Sequence, residues 1–468
     1  MMPTTNPQTA AKSTATQRCI DPACGSRFDI NERIYVCSSC GGLLDVVQEL
    51  ATSAEQFQDL WTRRLASNDA RDRSGVWRYR ELLPFSDEAP IVSLSEGNTP
   101  IYDAPRSAAY CGLNALSLKH QGCNPTGSFK DTGMTVALTQ AVSLGVGTVV
   151  CASTGNTAAS LAAYAARAKL QCAILVPQGQ ISHAKLAQSL DYGATVLELA
   201  GNFDDAMRII RELAEDESIY LVNSINPFRI EGQKTVAAEL LHQRGWEVPD
   251  HVVVPGGNLG NSTALGKGFS ELKELGFIDR LPRLSVVQAA GAAPFAGLFN
   301  SEDTTETPDW TNWPALVPME HPHTLATAIK IGAPVSWQKA LRAVLTSEGT
   351  VLSVTEQEIA DAKAIVGLDG VGCEPASAST VAGIKRLVAD GTIGPDDDVV
   401  AVLTGHVLKD TEYVIRYHQD NLFSDTETSK RSKIKGAYRN PPALVEPTRE
   451  AIMKKLRSKD VSTKGGRG

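Results

Sequence analysis

TVVCASTGNTAASLAAYAARAKLQCAILVP, residues 148–177, reads as a strand, a helix and a second strand. Two continuous apolar runs, TVVCAS at 148–153 and QCAILV at 171–176, flank an alanine-rich helical stretch at 156–168. Neither run alternates polar with apolar, so each strand needs cover on both faces. The pattern recurs downstream. ATVLELA at 194–200, IYLVNS at 219–224, HVVVPGG from 251, LSVVQAAG at 284–291 and DVVAVLTG at 398–405 are further strand candidates. Helical stretches at 182–190, 203–216 and 229–244 separate several of them. The expected fold class is α/β, with parallel sheets wrapped by helices. Ligands in such sheets lie beyond the carboxyl ends of the strands, so the loops after these strands are where chemistry is sought.

Upstream, AEQFQDLWTRRLAS and GVWRYRELLP read as helical pieces, and APIVSLSEGNTPIYDAP as short extended segments broken by turns. Residues 1–17 are polar and lack the apolar centre of a secretory signal, and are expected to form a disordered leader, with a transit peptide as the alternative. The chain of 468 residues is 42% hydrophobic and 21% charged, which suits a globular protein of two or three domains. No apolar run reaches the ~18–20 residues that span a bilayer. The net charge is −8, unevenly placed. Residues 428–468 hold twelve Lys/Arg and three Asp/Glu, so this basic tail is +9 and the rest −17. An acidic body argues against nucleic acid as the main ligand, and no membrane partner is expected. Nine cysteines without a signal suggest free thiols, a reducing compartment and a cytoplasmic location.

Four segments invite chemistry. GCNPTGSFKDTG, residues 122–133, sets small and polar residues around Lys130 and runs into a helix. STGNTAAS, Ser153–Ser160, precedes a helix and either caps it or offers backbone N–H groups to an anion. GGNLGNSTALGKG, Gly256–Gly268, lacks both the dinucleotide and the Walker spacing, which leaves a cup for one phosphate. Thr404 ends a buried strand, where its hydroxyl either meets a ligand or bonds its own backbone. One lysine, one phosphate cup and hydroxyl-bearing strand ends suit pyridoxal phosphate, which needs an amine for a Schiff base and an anion cradle.

The wording of these segments resembles the threonine synthases. They belong to the fold-type II, tryptophan synthase β-like group of pyridoxal-phosphate enzymes. The resemblance covers roughly residues 75–415 and rests on SGVWRYRELLP, SLSEGNTP, NPTGSFKDTGM, STGNTAAS, VNSINPFRIEGQKT, PGGNLGN and LTGHVLKD. It implies that Lys130 holds the cofactor, Asn156 meets its ring hydroxyl and Thr404 its ring nitrogen. It implies that Gly257, Asn258, Leu259, Gly260 and Asn261 wrap the cofactor phosphate. For substrate, it implies Ser153, Thr154 and Thr157 at a carboxylate, and Asn223, Ser224 and Arg229 at the phosphate of O-phospho-L-homoserine. The implied reaction is a β,γ-replacement that consumes water and yields L-threonine and phosphate. GCEPASAST, Gly372–Thr380, also resembles a family segment, where Glu374 either lines the site or simply starts a helix. The division expected is a large cofactor domain (48–144 and 226–427) and a small mobile domain (145–225), with a homodimer as the assembly.

Cys19 and Cys24, then Cys37 and Cys40, form C-x4-C and C-x2-C pairs, which suit tetrahedral structural zinc in a ribbon-like module at 18–47. A metal-free remnant is the alternative. Two competing functions remain: a related enzyme such as threonine dehydratase or cysteate synthase, of which a dehydratase acting on free hydroxy amino acids needs no second anion site, and a zinc-ribbon nucleic-acid binder, which leaves the loops unexplained.

Overall fold

The computed structural model describes residues 15–49, 54–178, 183–201, 203–301, 310–425 and 431–464. Residues 1–14 of the expected leader, and 428–430 and 465–468 of the basic tail, lie outside the described residues. Three antiparallel strands, β1 (Thr16–Cys19), β2 (Arg27–Asp29) and β3 (Leu44–Val47), form an N-terminal module in the order β2-β1-β3. Its first strand opens at Thr16, inside the segment expected to be leader. Next come β4 (Ile101–Asp103) and β5 (Ser117–His120). The segment 148–221 supplies β6 (Thr148–Ala152), β7 (Gln171–Pro177), β8 (Thr195–Leu199) and β9 (Ile219–Leu221). Then follow β10 (His251–Pro255), β11 (Arg283–Ala289), β12 (Val351–Val354) and β13 (Val399–Leu403).

Two larger sheets result. One is a four-stranded parallel sheet in the order β8-β7-β6-β9. The other has six strands in the order β12-β11-β10-β13-β5-β4, parallel except for β4 at its edge. Every residue of β10 and β13 is buried, which explains their unbroken apolar wording. The strands β5 and β12 carry Lys119 and Ser353 among their few residues, and this polar content hides them from an apolar-run search.

The helix Lys130–Ser143 is buried on all sides from Asp131 to Ala141. Its Met134, Val136 and Leu138 share a core with Val149, Leu161 and Ile174 of the four-stranded sheet's lobe. The helix Pro227–Gln243 crosses it at glycines. A Cβ on Gly232 would sit 1.9 Å from the Thr132 carbonyl, and one on Gly133 2.7 Å from the Arg229 carbonyl. Only glycine allows that approach, which places Arg229 beside the start of the Lys130 helix. No helix among the described residues is long and apolar enough to cross a membrane.

Candidate active site

Among the helices that begin without a side-chain cap are four that start at or next to the candidate loops: Lys130–Ser143, Asn156–Ala168, Gly260–Glu274 and Pro375–Ala389. By contrast, Asn226 caps Pro227–Gln243 and Thr355 caps Glu356–Leu368. Uncapped N-termini leave backbone N–H groups and a partial positive charge, which an anion can satisfy. Hydrogen bonds draw these four starts together. Phe129 N–H donates to the Thr404 carbonyl at 2.9 Å, just ahead of Lys130. Asn156 Nδ2 donates to both carboxylate oxygens of Glu374, at 3.2 and 3.0 Å. Asn261 Nδ2 lies 3.5 Å from Gln121 Oε1 at the end of β5.

Lys130 is the first residue of its helix and half-buried, with its amine 3.9 Å over the Phe129 ring. Burial, with Arg229 adding to it and Glu374 opposing, pushes its pKa down from 10.5 to about 7. An amine with that pKa is substantially neutral near pH 7 and so nucleophilic. Asp131, the next residue, ties this loop to its neighbour: its carboxylate accepts from Thr126 Oγ1 and Ser160 Oγ, both at 2.6 Å.

In the loop after β6, Ser153, Thr154 and Thr157 are half-buried and Asn156 is buried. Ser153 Oγ accepts from Gly155 N–H at 3.2 Å, and no side chain caps the helix. After β10, Gly257, Asn258 and Leu259 lead into the helix that Gly260 and Asn261 begin. Leu259 takes a left-handed φ of 64°, which turns the chain sharply at the helix start. Asn258 is anchored outward, its Oδ1 accepting from Val335 N–H at 3.1 Å. Thr404 is buried at the end of β13, its hydroxyl 3.1 Å from Ser377 Oγ.

Asn223 follows β9 and bonds both backbone groups of Ala152 at 3.0 Å, pinning the end of β6. Ser224 is half-buried beside it. Arg229 is buried, yet among the described residues it has no carboxylate partner. Its Nη1 reaches the Val222 carbonyl only at 3.4 Å, and its Nε has no acceptor. Burial holds its pKa down at about 10.

Further buried polar atoms here lack partners among the described residues: Asn156 Oδ1, Ser128 Oγ, Gln121 Nε2, Asn261 Oδ1 and Gln233 Oε1. Such groups are rare in native interiors, and a cluster of them around uncapped helix starts marks a cradle for a polar ligand. The chemistry of the set fits pyridoxal phosphate: a nucleophilic amine, N–H groups for a phosphate, and amides and hydroxyls for a substituted ring.

Gln121, Ser128, Asp131, Gln233 and Ser377 escaped the sequence reading. Gln121 follows a strand that reading did not detect. Ser377 acts through Thr404 and was indistinguishable from helix-start packing. The turn after SLKH, residues 117–120, is the signal that points to Gln121.

The four cysteines of the N-terminal module converge. The Cys19–Cys40 and Cys24–Cys37 sulfur pairs are 3.4 and 3.6 Å apart, and all four atoms lie within 4.8 Å of one another. Tetrahedral zinc with bonds of about 2.3 Å sets its sulfurs roughly 3.8 Å apart, so the donor set fits that ion. All nine cysteines are free thiols.

Comparison with known proteins agrees with this chemistry. Residues 92–405 match the model of the family described as pyridoxal-phosphate dependent enzyme. The chain is 46% identical over 408 residues to the threonine synthase of Methanocaldococcus jannaschii, covering 87% of this chain and 96% of that one. It is 46% identical to that of Methanosarcina acetivorans over 85% of this chain and 93% of the other. Among solved structures, it resembles the processed threonine deaminase isoform 2 of Solanum lycopersicum, with a TM-score of 0.56 and 18% identity over 77% and 93% of the chains. It likewise resembles an L-serine ammonia-lyase from Rhizomucor miehei, with a TM-score of 0.56 and 23% identity over 68% and 97%. At these identities the structural likeness speaks for the fold alone.

Proposed function

The chain belongs to the threonine synthase family of pyridoxal-phosphate dependent enzymes, and on that premise we propose that it converts O-phospho-L-homoserine and water to L-threonine and phosphate. The observation that carries the substrate choice is Arg229, a buried guanidinium without a carboxylate, set beside Lys130. A free hydroxy amino acid brings only its carboxylate, which the Ser153–Thr157 loop takes, whereas a phosphate ester brings a second anion that matches the paired N–H groups of Arg229.

When bound, pyridoxal phosphate withdraws electrons from the substrate carbons so that their protons can leave. Gly257, Asn258, Leu259, Gly260 and Asn261 hold the cofactor phosphate, Asn156 its ring hydroxyl and Thr404 its ring nitrogen. Thr404 is a neutral partner, so it leaves the ring less electron-poor than a carboxylate would. Ser153, Thr154 and Thr157, at an uncapped helix start, bind the substrate carboxylate. Lys130 would hold the cofactor and would carry the proton taken from the substrate Cα. Arg229, with Ser224 and Asn223, receives the phosphate that leaves Cγ. A second proton leaves Cβ as phosphate departs, Cγ takes up a proton, water adds at Cβ, and return of a proton to Cα gives L-threonine. The small domain, 145–225, closes over the substrate and excludes bulk water until phosphate has left.

The test is an assay with O-phosphohomoserine. Threonine and inorganic phosphate should appear in equal amounts. Turnover of free serine or threonine without turnover of the ester would reassign the enzyme as a dehydratase.

We also infer that Cys19, Cys24, Cys37 and Cys40 hold a structural zinc ion, since four protein ligands leave no open position. Metal analysis of the protein and of Cys37→Ser tests it, and no zinc in either ends the idea. We infer a cytoplasmic location, since none of the nine cysteines is in a disulfide. A homodimer is read by sedimentation.

A further inference from the structure

The proposed phosphate pocket has two walls from one short segment, on a loop and on the helix that follows it. One is the segment Asn223–Ser224 that follows β9, and the other is Arg229 on the helix Pro227–Gln243. The N-terminal cysteine module grips both.

On the β9 side, Leu221 N–H donates to the Tyr35 hydroxyl at 2.8 Å, two residues before Asn223. The Tyr35 ring lies 5.9 Å from that of Tyr220. Arg33 donates to the carbonyls of Asp216 and Ile219, at the start of the same strand. On the helix side, Lys267 donates to the Val46 carbonyl of β3 at 2.5 Å and pairs with Glu231, two residues after Arg229. Glu231 also pairs with Lys234 at 2.6 Å. Asp45, next to Val46, is held by Lys339 at 2.9 Å and Arg342 at 2.6 Å. Its carboxyl sits far below the usual range, because these cations outweigh its burial. The module reaches the lysine helix as well: Gln140 Nε2 donates to the Ile30 carbonyl at 3.1 Å.

The cysteine cluster sets the geometry of this brace. Cys37 N–H donates to the Gly42 carbonyl at 2.7 Å, and β3 begins two residues later. Gly42 is wedged among the sulfurs, since a Cβ there would lie 3.2 Å from Cys19 Sγ and 3.3 Å from Cys40 Sγ. Moving the sulfurs therefore moves β3, and with it the Val46 carbonyl and Asp45.

We propose that the cysteine module is a positioning element of the substrate phosphate pocket. Tyr35 sets the Asn223–Ser224 wall, and Asp45 and Val46, through Lys267 and Glu231, set the Arg229 wall. This rests on the reading of Arg229 as the phosphate ligand. None of these residues touches the substrate, so their effect falls on how well it is held.

The experiment uses the full-length holoenzyme as wild type, Tyr35→Phe, Asp45→Asn and Arg229→Leu. It measures KM and kcat for O-phosphohomoserine, inhibition by inorganic phosphate, the cofactor absorbance, and hydrogen exchange at Leu221–Ser224. Tyr35→Phe should raise KM and the phosphate inhibition constant together by about tenfold, the scale of one lost hydrogen bond. Its kcat and cofactor absorbance should stay at the wild-type level, and exchange at Leu221 should quicken. Asp45→Asn should repeat the KM effect through the other wall. If both variants keep the wild-type KM and phosphate inhibition while Arg229→Leu loses them, the positioning role is wrong and the Arg229 reading stands. If Arg229→Leu leaves phosphate inhibition unchanged, the Arg229 reading has failed and takes this proposal with it. Tyr35→Phe guards against misfolding of Asp45→Asn, because it removes one oxygen and no charge.

Discussion

Two buried charges of the helix Pro227–Gln243, Glu239 and Arg229, are treated in opposite ways. Toward its C-terminus, Glu239 accepts from Asn98 N–H at 2.7 Å, from Thr99 N–H and Oγ1 at 3.0 Å, and from the buried amine of Lys119. Lys119 donates further to the Thr99 carbonyl and Gln243 Oε1, both at 2.7 Å. Every group there has a partner. Toward the N-terminus, among the described residues, Arg229 has one long bond and the half-buried Lys130 lies with its amine over the Phe129 ring. A buried charge with partners joins parts of the fold, whereas a buried charge without them costs stability and is kept for a ligand.

The contrast can be broken in four ways. Lys130→Ala should cost the most in activity, about a thousandfold or more, and should abolish the visible absorbance of bound cofactor. Residual turnover above a hundredth of wild type would refute its role. Next, Glu239→Gln should lower stability by about 3–5 kcal/mol, because it strands the Lys119 charge in the core. Urea denaturation reads this, and an unchanged midpoint would show that the pair does not matter to the fold. Arg229→Leu should do the reverse. Stability should hold or rise, since a poorly paired buried charge is removed, while KM for O-phosphohomoserine rises by about a hundredfold. A large fall in its urea midpoint would place Arg229 with the structural charges.

The smallest effect is on pH dependence. Lys130 has a lower pKa folded than unfolded, so between about 7 and 10.5 the unfolded apoenzyme binds more protons. Apoenzyme stability from this group therefore rises with pH through that window and is flat below it. The rate at which apoenzyme regains its chromophore with pyridoxal phosphate should climb to about pH 7 and then level, as the neutral amine becomes dominant. Arg229→Leu should move that midpoint upward, because Arg229 is one of the causes of the low value. A rate that keeps climbing toward pH 10 would mean an ordinary lysine.

Much of this was legible in the residues. The strands from β6 to β11, and β13, stand where the sequence offers strand-like runs, and each loop named for chemistry lies at a strand's carboxyl end. The strand β5 was not legible, because its buried Lys119 reads as a surface residue until Glu239, 120 positions away, is placed beside it. Gln121 was hidden for the same reason, since Asn261 is distant in sequence.

Sequence alone determined the alternation of strand and helix, the lysine at a helix start, the glycine-rich cup and the paired cysteines, because these depend on side-chain periodicity and turn chemistry over a few residues. Only the tertiary structure decided which of those loops meet, which buried charges have partners, and that the cysteine module reaches both walls of one pocket. Those contacts join residues often more than a hundred positions apart, through sheet orders such as β12-β11-β10-β13-β5-β4 that no local pattern encodes.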